Sequence, residues 1–175
     1  EVMLQHGVVP IVNENDTISV TELMFTDNDE LSGMVATMMG AEKLIILSNI
    51  DGIYNGKPGE PGVSVIPQVF PGKRDLSAYI QTSKSSFGRG GMQTKTNIAS
   101  KVADEGVEVI IANGKSDGIL LRLLVEENSS EVLCTRFLPS DKPTTSVKKW
   151  IAHSEGFARG EVVINAQAKQ VLEED

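Results

Sequence analysis

A single cysteine, Cys134, excludes an intrachain disulfide and fits a reducing compartment. With only two histidines beside it, the chain lacks the thiolates and imidazoles of a standard structural zinc site. No apolar run is long enough to span a bilayer. Positive charge is also in short supply. Sixteen Lys and Arg against 24 Asp and Glu leave a formal net charge of −8, which argues against a general nucleic-acid binder and a polybasic membrane anchor. The expected location is the cytoplasm. Aromatic residues are few, and the one tryptophan, Trp150, reads as packing rather than a stacking platform.

What is present suits a globular α/β protein. The 175 residues, 40% of them hydrophobic, suffice for one domain with a substantial core, or one domain and a stub. The opening Glu1–Gly7 has neither an initiator methionine nor a signal peptide and reads as the end of a helix closing on Gly7, so a fragment is expected. Val8–Val12 is a short apolar run, expected as a buried strand, with Pro10 favouring an edge or bulge. It empties into Asn13-Glu14-Asn15-Asp16, where a parallel strand would end. Ligands of open α/β sheets sit at such ends, although a polar turn explains the same residues.

Thr17–Phe25 alternates loosely, as one or two short strands do. Asp27 or Asn28 then caps a helix with Leu31, Met34, Val35 and Met38 on its apolar face and Gly40 at its end. Capping alone accounts for the acidic cluster Asp27–Asp29. Lys43–Leu47 is an apolar run of the kind buried on both faces of a sheet, ending at Ser48-Asn49. Tyr54–Gly62 is a turn-rich surface loop, and Val63–Ile66 a possible short strand. Phe70–Thr82 is irregular.

Three glycines in four positions, Gly88, Gly90 and Gly91, precede Thr94, Lys95 and a helix extending to about Glu105. Glycine lets a ligand approach the backbone, and a helix N-terminus offers free N–H groups to phosphate. Lys95 adds a mobile charge. The order of a Walker A loop is absent, and a glycine-rich turn before a helix is more often a plain loop. The helix carries Ile98, Ala99, Val102 and Ala103 on one face. Then come a strand at Val107–Ala112, a turn at Asn113-Gly114, a leucine-rich helix at Ile119–Val125, a polar loop and a strand at Val132–Leu138. This rhythm predicts a layered α/β domain with a largely parallel sheet. Pro139–Val147 has linker composition.

The blocks V-P-I-V-N-E-N-D, D-N-D-E-L-S, L-I-I-L-S-N-I-D-G-I-Y, G-R-G-G-M-Q-T-K, V-I-I-A-N-G, C-T-R-F-L-P and K-K-W-I-A, in this order, closely resemble the glutamate 5-kinases of the amino acid kinase superfamily. The resemblance implies a three-layer αβα sandwich with a mostly parallel central sheet, incomplete at its N-terminus. Residues 1–139 would be the C-terminal part of the kinase domain, and 140–175 a linker and the start of a truncated PUA-like tail. The implied reaction is ATP-dependent phosphorylation of the L-glutamate side-chain carboxylate, the first step of proline biosynthesis. On this resemblance Asp16, Asn28 and Asn13 bind glutamate. Ser48, Asn49, Arg89, Gly90, Gly91, Met92, Gln93, Thr94 and Lys95 bind the nucleotide. Lys95 neutralises the transferring phosphoryl group, and Asp29 orients reacting groups through lysines, as a reaction governed by positioning and charge requires.

Mg²⁺ is expected with ATP, held mostly by phosphate oxygens, and no metal-ligating residues stand out. Proline as feedback inhibitor and a homo-oligomer are further implications. The sequence departs from the family at Asn49 (usually Asp), Arg89 (usually Thr) and Cys134 (usually Gly). It also lacks the family's N-terminal half, with its first glycine-rich loop and second catalytic lysine. The fragment alone is therefore expected to be inactive. Another kinase of the superfamily, and a non-catalytic proline- or glutamate-binding regulatory module, are the alternative readings. RNA binding through the tail is disfavoured by the acidic balance.

Overall fold

The computed structural model describes residues 2–13, 28–71, 76, 91–125 and 132–141. Among the described residues, four strands form one sheet: β1 (Lys43–Ser48), β2 (Gln68–Val69), β3 (Glu108–Asn113) and β4 (Cys134–Phe137), in the order β1-β3-β4-β2. Four helices accompany them among the same residues: α1 (Val2–Gln5), α2 (Asn28–Met39), α3 (Gly91–Asp104) and α4 (Ile119–Leu124). β1 pairs parallel with β3, and β2 parallel with β4, while β3 and β4 are antiparallel. The sheet is thus mixed but mostly parallel. Between β3 and β4 the chain carries the short helix α4, and β4 returns antiparallel to β3.

β3 is the spine. Its residues Val109 to Ala112 are fully buried, and their alternation divides the core in two. Val109 and Ile111 join Ile46, Phe137 and the α3 residues Ala99, Val102 and Ala103 on one face. Ile110 and Ala112 join Ile119 and Leu123 of α4, with Val132 and Cys134, on the other. Helices on both faces of a sheet make the expected α/β sandwich.

Both long helices end as their glycines predict. Gly40 (φ 61°) and Gly106 (φ 91°) take the left-handed conformation. The N–H of the next residue, Ala41 or Val107, reaches back to the carbonyl of Ala36 or Val102, which satisfies last-turn carbonyls. α3 buries the predicted face, Ala99, Val102 and Ala103, with Ile98 partly buried against it and Thr96 added.

α2 departs from the prediction. Its buried residues are Gly33, Ala36 and Thr37, whereas Val35 and Met38 are exposed, Met38 by 51%. The small face packs against α3. A Cβ on Gly33 would lie 2.9 Å from Val102 Cγ2 and 3.0 Å from Ile98 Cγ2, so only glycine permits this helix spacing. Periodicity located the helix, but the distance to its neighbour chose the face.

Three strand expectations also change. Val8–Val12 is not a strand, and Ile11 is 98% exposed, because none of the described residues pairs with it. β1 forms where predicted but is at the edge of the sheet among the described residues, and Leu47 is 45% exposed rather than buried. Val63–Ile66 reduces to one bridge, Tyr54 to Val65, while the short β2 was not foreseen. The proposed strands in Thr17–Phe25 and the residues from 142 to 175, Trp150 included, lie outside the described residues.

At the amino ends of the parallel pair, Glu108 accepts from Lys43 Nζ (2.6 Å) and Arg136 (3.1 Å), joining β1, β3 and β4. Burial pushes the Glu108 carboxyl up, but the hydrogen bonds and charges of Lys43 and Arg136 outweigh it and hold its pKa below the ordinary 4.5. A depressed folded-state value means stability that is complete above the unfolded-state value and lost as pH falls through the folded one. The urea midpoint is therefore expected to decline as pH drops below about 4.5, and Glu108→Gln to flatten that decline. An identical acid-limb slope in the variant would contradict this role.

Candidate functional site

Two helices start at the same end of the sheet. α2 leads into β1 and α3 into β3, each with a reversal of direction. Their N-termini therefore lie beside the carboxyl ends of two adjacent parallel strands, the usual ligand edge of an α/β sheet. The first turn of α2 carries Asp29 and Glu30, which suits the positive end of its dipole. The first turns of α3 carry Gly91, Met92, Gln93, Thr94 and Lys95.

Lys95 Nζ donates to Asp29 Oδ2, an ion pair across 66 residues of sequence. Both side chains are about one-fifth exposed, so the pair is sheltered yet reachable from solvent. An ammonium has three donors. One is committed to Asp29, and the same group lies close to a helix N-terminus, where an anion is favoured. The arrangement holds a positive charge in a set position without neutralising its capacity to bind phosphate oxygens.

One residue before Asp29, Asn28 Nδ2 donates to Asn13 Oδ1 at 3.0 Å. These two amides border a cleft of about 520 Å³ between the 10–13 segment, the outer face of α2 and the start of β1. Its walls are largely apolar, formed by Leu31, Val35 and Met39, with Lys43 at the rim. Thus Asn13, Asn28, Asp29 and Lys95, chosen from sequence, form one continuous neighbourhood.

The strand ends make a second group. Ser48 pairs in register with Asn113, and the Gly114 N–H donates to the Ser48 carbonyl at 2.8 Å. Ser48 Oγ approaches Asn49 Oδ1 at 3.4 Å. Sequence reading passed over the neighbours of this pair. Asp51 Oδ1 accepts from Asn113 Nδ2 (2.9 Å), and Asp51 Oδ2 accepts from the Tyr54 hydroxyl (2.8 Å). Their signal was the presence of polar residues at the ends of two apolar runs, but pairing the runs required the sheet order.

Among the other expected residues, Met92 packs against the core beneath α3, and Gln93 donates along the helix to Asn97 at 2.9 Å. Asp16, Arg89 and Gly90 lie outside the described residues. Among the described residues, no three His, Cys, Asp or Glu side chains converge as metal ligands, and no helix is long and apolar enough to cross a membrane.

The chain is 67% identical over 171 residues to a glutamate 5-kinase of Bacteroides thetaiotaomicron, which covers 98% of this chain and 47% of that protein. A glutamate 5-kinase of Chlorobaculum tepidum is 47% identical over 172 residues, with 98% and 46% covered. One from Hydrogenovibrio crunogenus is 36% identical over 175 residues, with 99% and 45% covered. The chain spans about half the length of the curated relatives it matches. The amino acid kinase family model matches residues 1–113, well over half of the sequence. This chain belongs to the amino acid kinase family.

Proposed function

We propose that this chain is part of an enzyme that transfers the γ-phosphoryl group of ATP to the side-chain carboxylate of L-glutamate, opening proline biosynthesis. The observation that carries the reading is the Lys95–Asp29 ion pair at the shared N-terminal edge of α2 and α3. It is supported by the names of the relatives, glutamate 5-kinases all. A carboxylate oxygen of glutamate forms the new P–O bond, and the bond to the β-phosphate oxygen breaks to release ADP. Negative charge spreads over the transferring group, so stabilisation comes from positioned cations and N–H donors.

In this proposal Lys95 is the cation. Asp29 holds its ammonium in place, and the α3 N-terminus from Gly91 to Thr94 contributes backbone donors. Asn13 and Asn28 orient glutamate from the cleft beside α2, while Ser48 and Asn49 meet the nucleotide at the end of β1. Asp16 on the glutamate side, and Arg89 and Gly90 on the phosphate side, complete the assignment from sequence. Mg²⁺ would enter with ATP, coordinated chiefly by phosphate oxygens, as befits a cation that keeps much of its own shell. The remaining parts of the proposal are a kinase portion ending near residue 139, a PUA-like start beyond it, feedback by proline, a homo-oligomer and a cytoplasmic location.

Glutamate-dependent ADP release by the full-length protein, with aspartate as competitor, tests the reaction and substrate. Equal turnover of aspartate would overturn the choice of glutamate. The 175-residue chain alone is expected to show no turnover above background. It has under half the length of its relatives and exposes Ile11, Met38 and Leu47 where a folded enzyme would cover them. Robust ADP release by the short chain would refute that expectation.

A further inference from the structure

We infer that Asp51 is a positioning residue for the nucleotide, clasping the turn that leaves β1 against the end of β3; the inference rests on the kinase reading above. Ligands at the carboxyl edge of an α/β sheet meet the residues leaving the strands, so the path of those residues sets the site. Here the exits of β1 and β3 are neighbours, with Ser48 opposite Asn113. The backbone joins them once, through Gly114 N–H to the Ser48 carbonyl. A Cβ on Gly114 would lie 3.2 Å from Leu47 Cβ, which shows how closely the two exits approach.

Beyond that bond, the link is made by side chains. One Asp51 oxygen accepts from Asn113 at 2.9 Å and the other from Tyr54 at 2.8 Å. Asn113 is itself held, since its Oδ1 accepts from the Lys115 N–H at 3.0 Å. Tyr54 is held through its loop, where Asn55 N–H donates to the Ser64 carbonyl and Ile66 N–H to the Ile53 carbonyl. Burial, and then the Asp51 carboxylate, raise the Tyr54 pKa, which keeps the phenol protonated as a donor. Asp51 thus stands between two fixed donors, with Ser48 and Asn49 immediately before it. Both donors to Asp51, the Asn113 amide and the Tyr54 hydroxyl, are neutral. Its carboxylate would repel a triphosphate placed directly on it, so the clasp serves the nucleoside end of ATP rather than the phosphate end.

The experiment uses the full-length protein and its Asp51→Ala, Asp51→Asn and Tyr54→Phe variants, each first checked for a cooperative thermal transition. ATP affinity is measured by calorimetry, and KM and kcat by glutamate-dependent ADP release. Asp51→Ala is expected to weaken ATP binding and raise KM for ATP about five- to tenfold, less than the full worth of a hydrogen bond to a charged group because Asp51 acts through the turn and not on ATP itself. KM for glutamate and kcat should change less than about twofold. Asp51→Asn retains one acceptor oxygen and Tyr54→Phe removes one donor, so both should fall between wild type and alanine. If the alanine variant fails to fold, these two carry the test. Unchanged ATP affinity in the folded variants, or equal losses for ATP and glutamate, would overturn the inference. Wild-type protein that binds ATP yet ignores glutamate would instead overturn the kinase reading, leaving the clasp to be judged on calorimetry.

Discussion

Lys95→Ala in the full-length protein is expected to lower kcat about 100- to 1,000-fold, the usual loss when one preorganised charge-stabilising donor is removed. The reason is geometric. Phosphoryl transfer requires no covalent help from the protein, so a cation already in place contributes directly to the barrier. Lys95 is held by Asp29 on a neighbouring helix and is only about one-fifth exposed, which limits the screening that would weaken a surface lysine. Asp29→Ala should cost less, about tenfold, because the ammonium remains but is no longer restrained. If Asp29 acts through Lys95, the double variant should be no worse than Lys95→Ala alone, since groups acting as a unit are non-additive. Steady-state turnover at saturating ATP and glutamate measures all three. Lys95→Ala within about threefold of wild type would remove Lys95 from the catalytic role.

The largest expected loss of stability from a near-isosteric change is at Thr135. Its hydroxyl accepts from the Ile53 N–H and donates to the Ile66 carbonyl, both at 2.8 Å, in a fully buried position on β4. These bonds close both ends of the loop between β1 and β2. The approach is so tight that a Cβ on Gly52 would lie 2.6 Å from the Thr135 hydroxyl oxygen. Thr135→Val preserves the side-chain shape but strands a buried N–H and removes a donor from a carbonyl. Each unmet group costs about 1–3 kcal/mol, so a loss of about 2–4 kcal/mol is expected. Urea unfolding at neutral pH, monitored by circular dichroism, measures it. A midpoint shift worth less than about 0.5 kcal/mol would show that water or local rearrangement replaces both bonds. Since this loop also carries Asp51 and Tyr54, the variant should loosen ATP binding as well.

Much of this molecule is legible in one dimension. The apolar runs at Lys43–Leu47 and Val107–Ala112, the glycines closing α2 and α3, and the helical period of Ile98 to Ala103 are local signals. Burial and backbone geometry act on neighbouring residues, so sequence order records them. The same holds for the chemistry-bearing types: Asn28 and Asp29 at a helix start, and Lys95 behind a glycine-rich turn. Their order, matched against family wording, was enough to expect an amino acid kinase.

Tertiary structure decided everything that depends on distance between elements. Spacing between α2 and α3 turned Gly33, Ala36 and Thr37 inward and left Met38 outside, against the helical period of the larger residues. Among the described residues, strand order made β1 an edge and left Ile11 exposed, although both runs are apolar enough for a core. The clasp of Asp51 with Asn113, 62 residues away, and the ion pair of Lys95 with Asp29, 66 away, belong to the same class. Local preferences along a chain carry no information about which distant element will lie within 3 Å. Sequence alone therefore determined the long elements, the layered class and the residue types expected at the site. The packing of helices and the pairing of strands determined which of those residues meet, because only the folded sheet brings its carboxyl edge and its helix N-termini to one place.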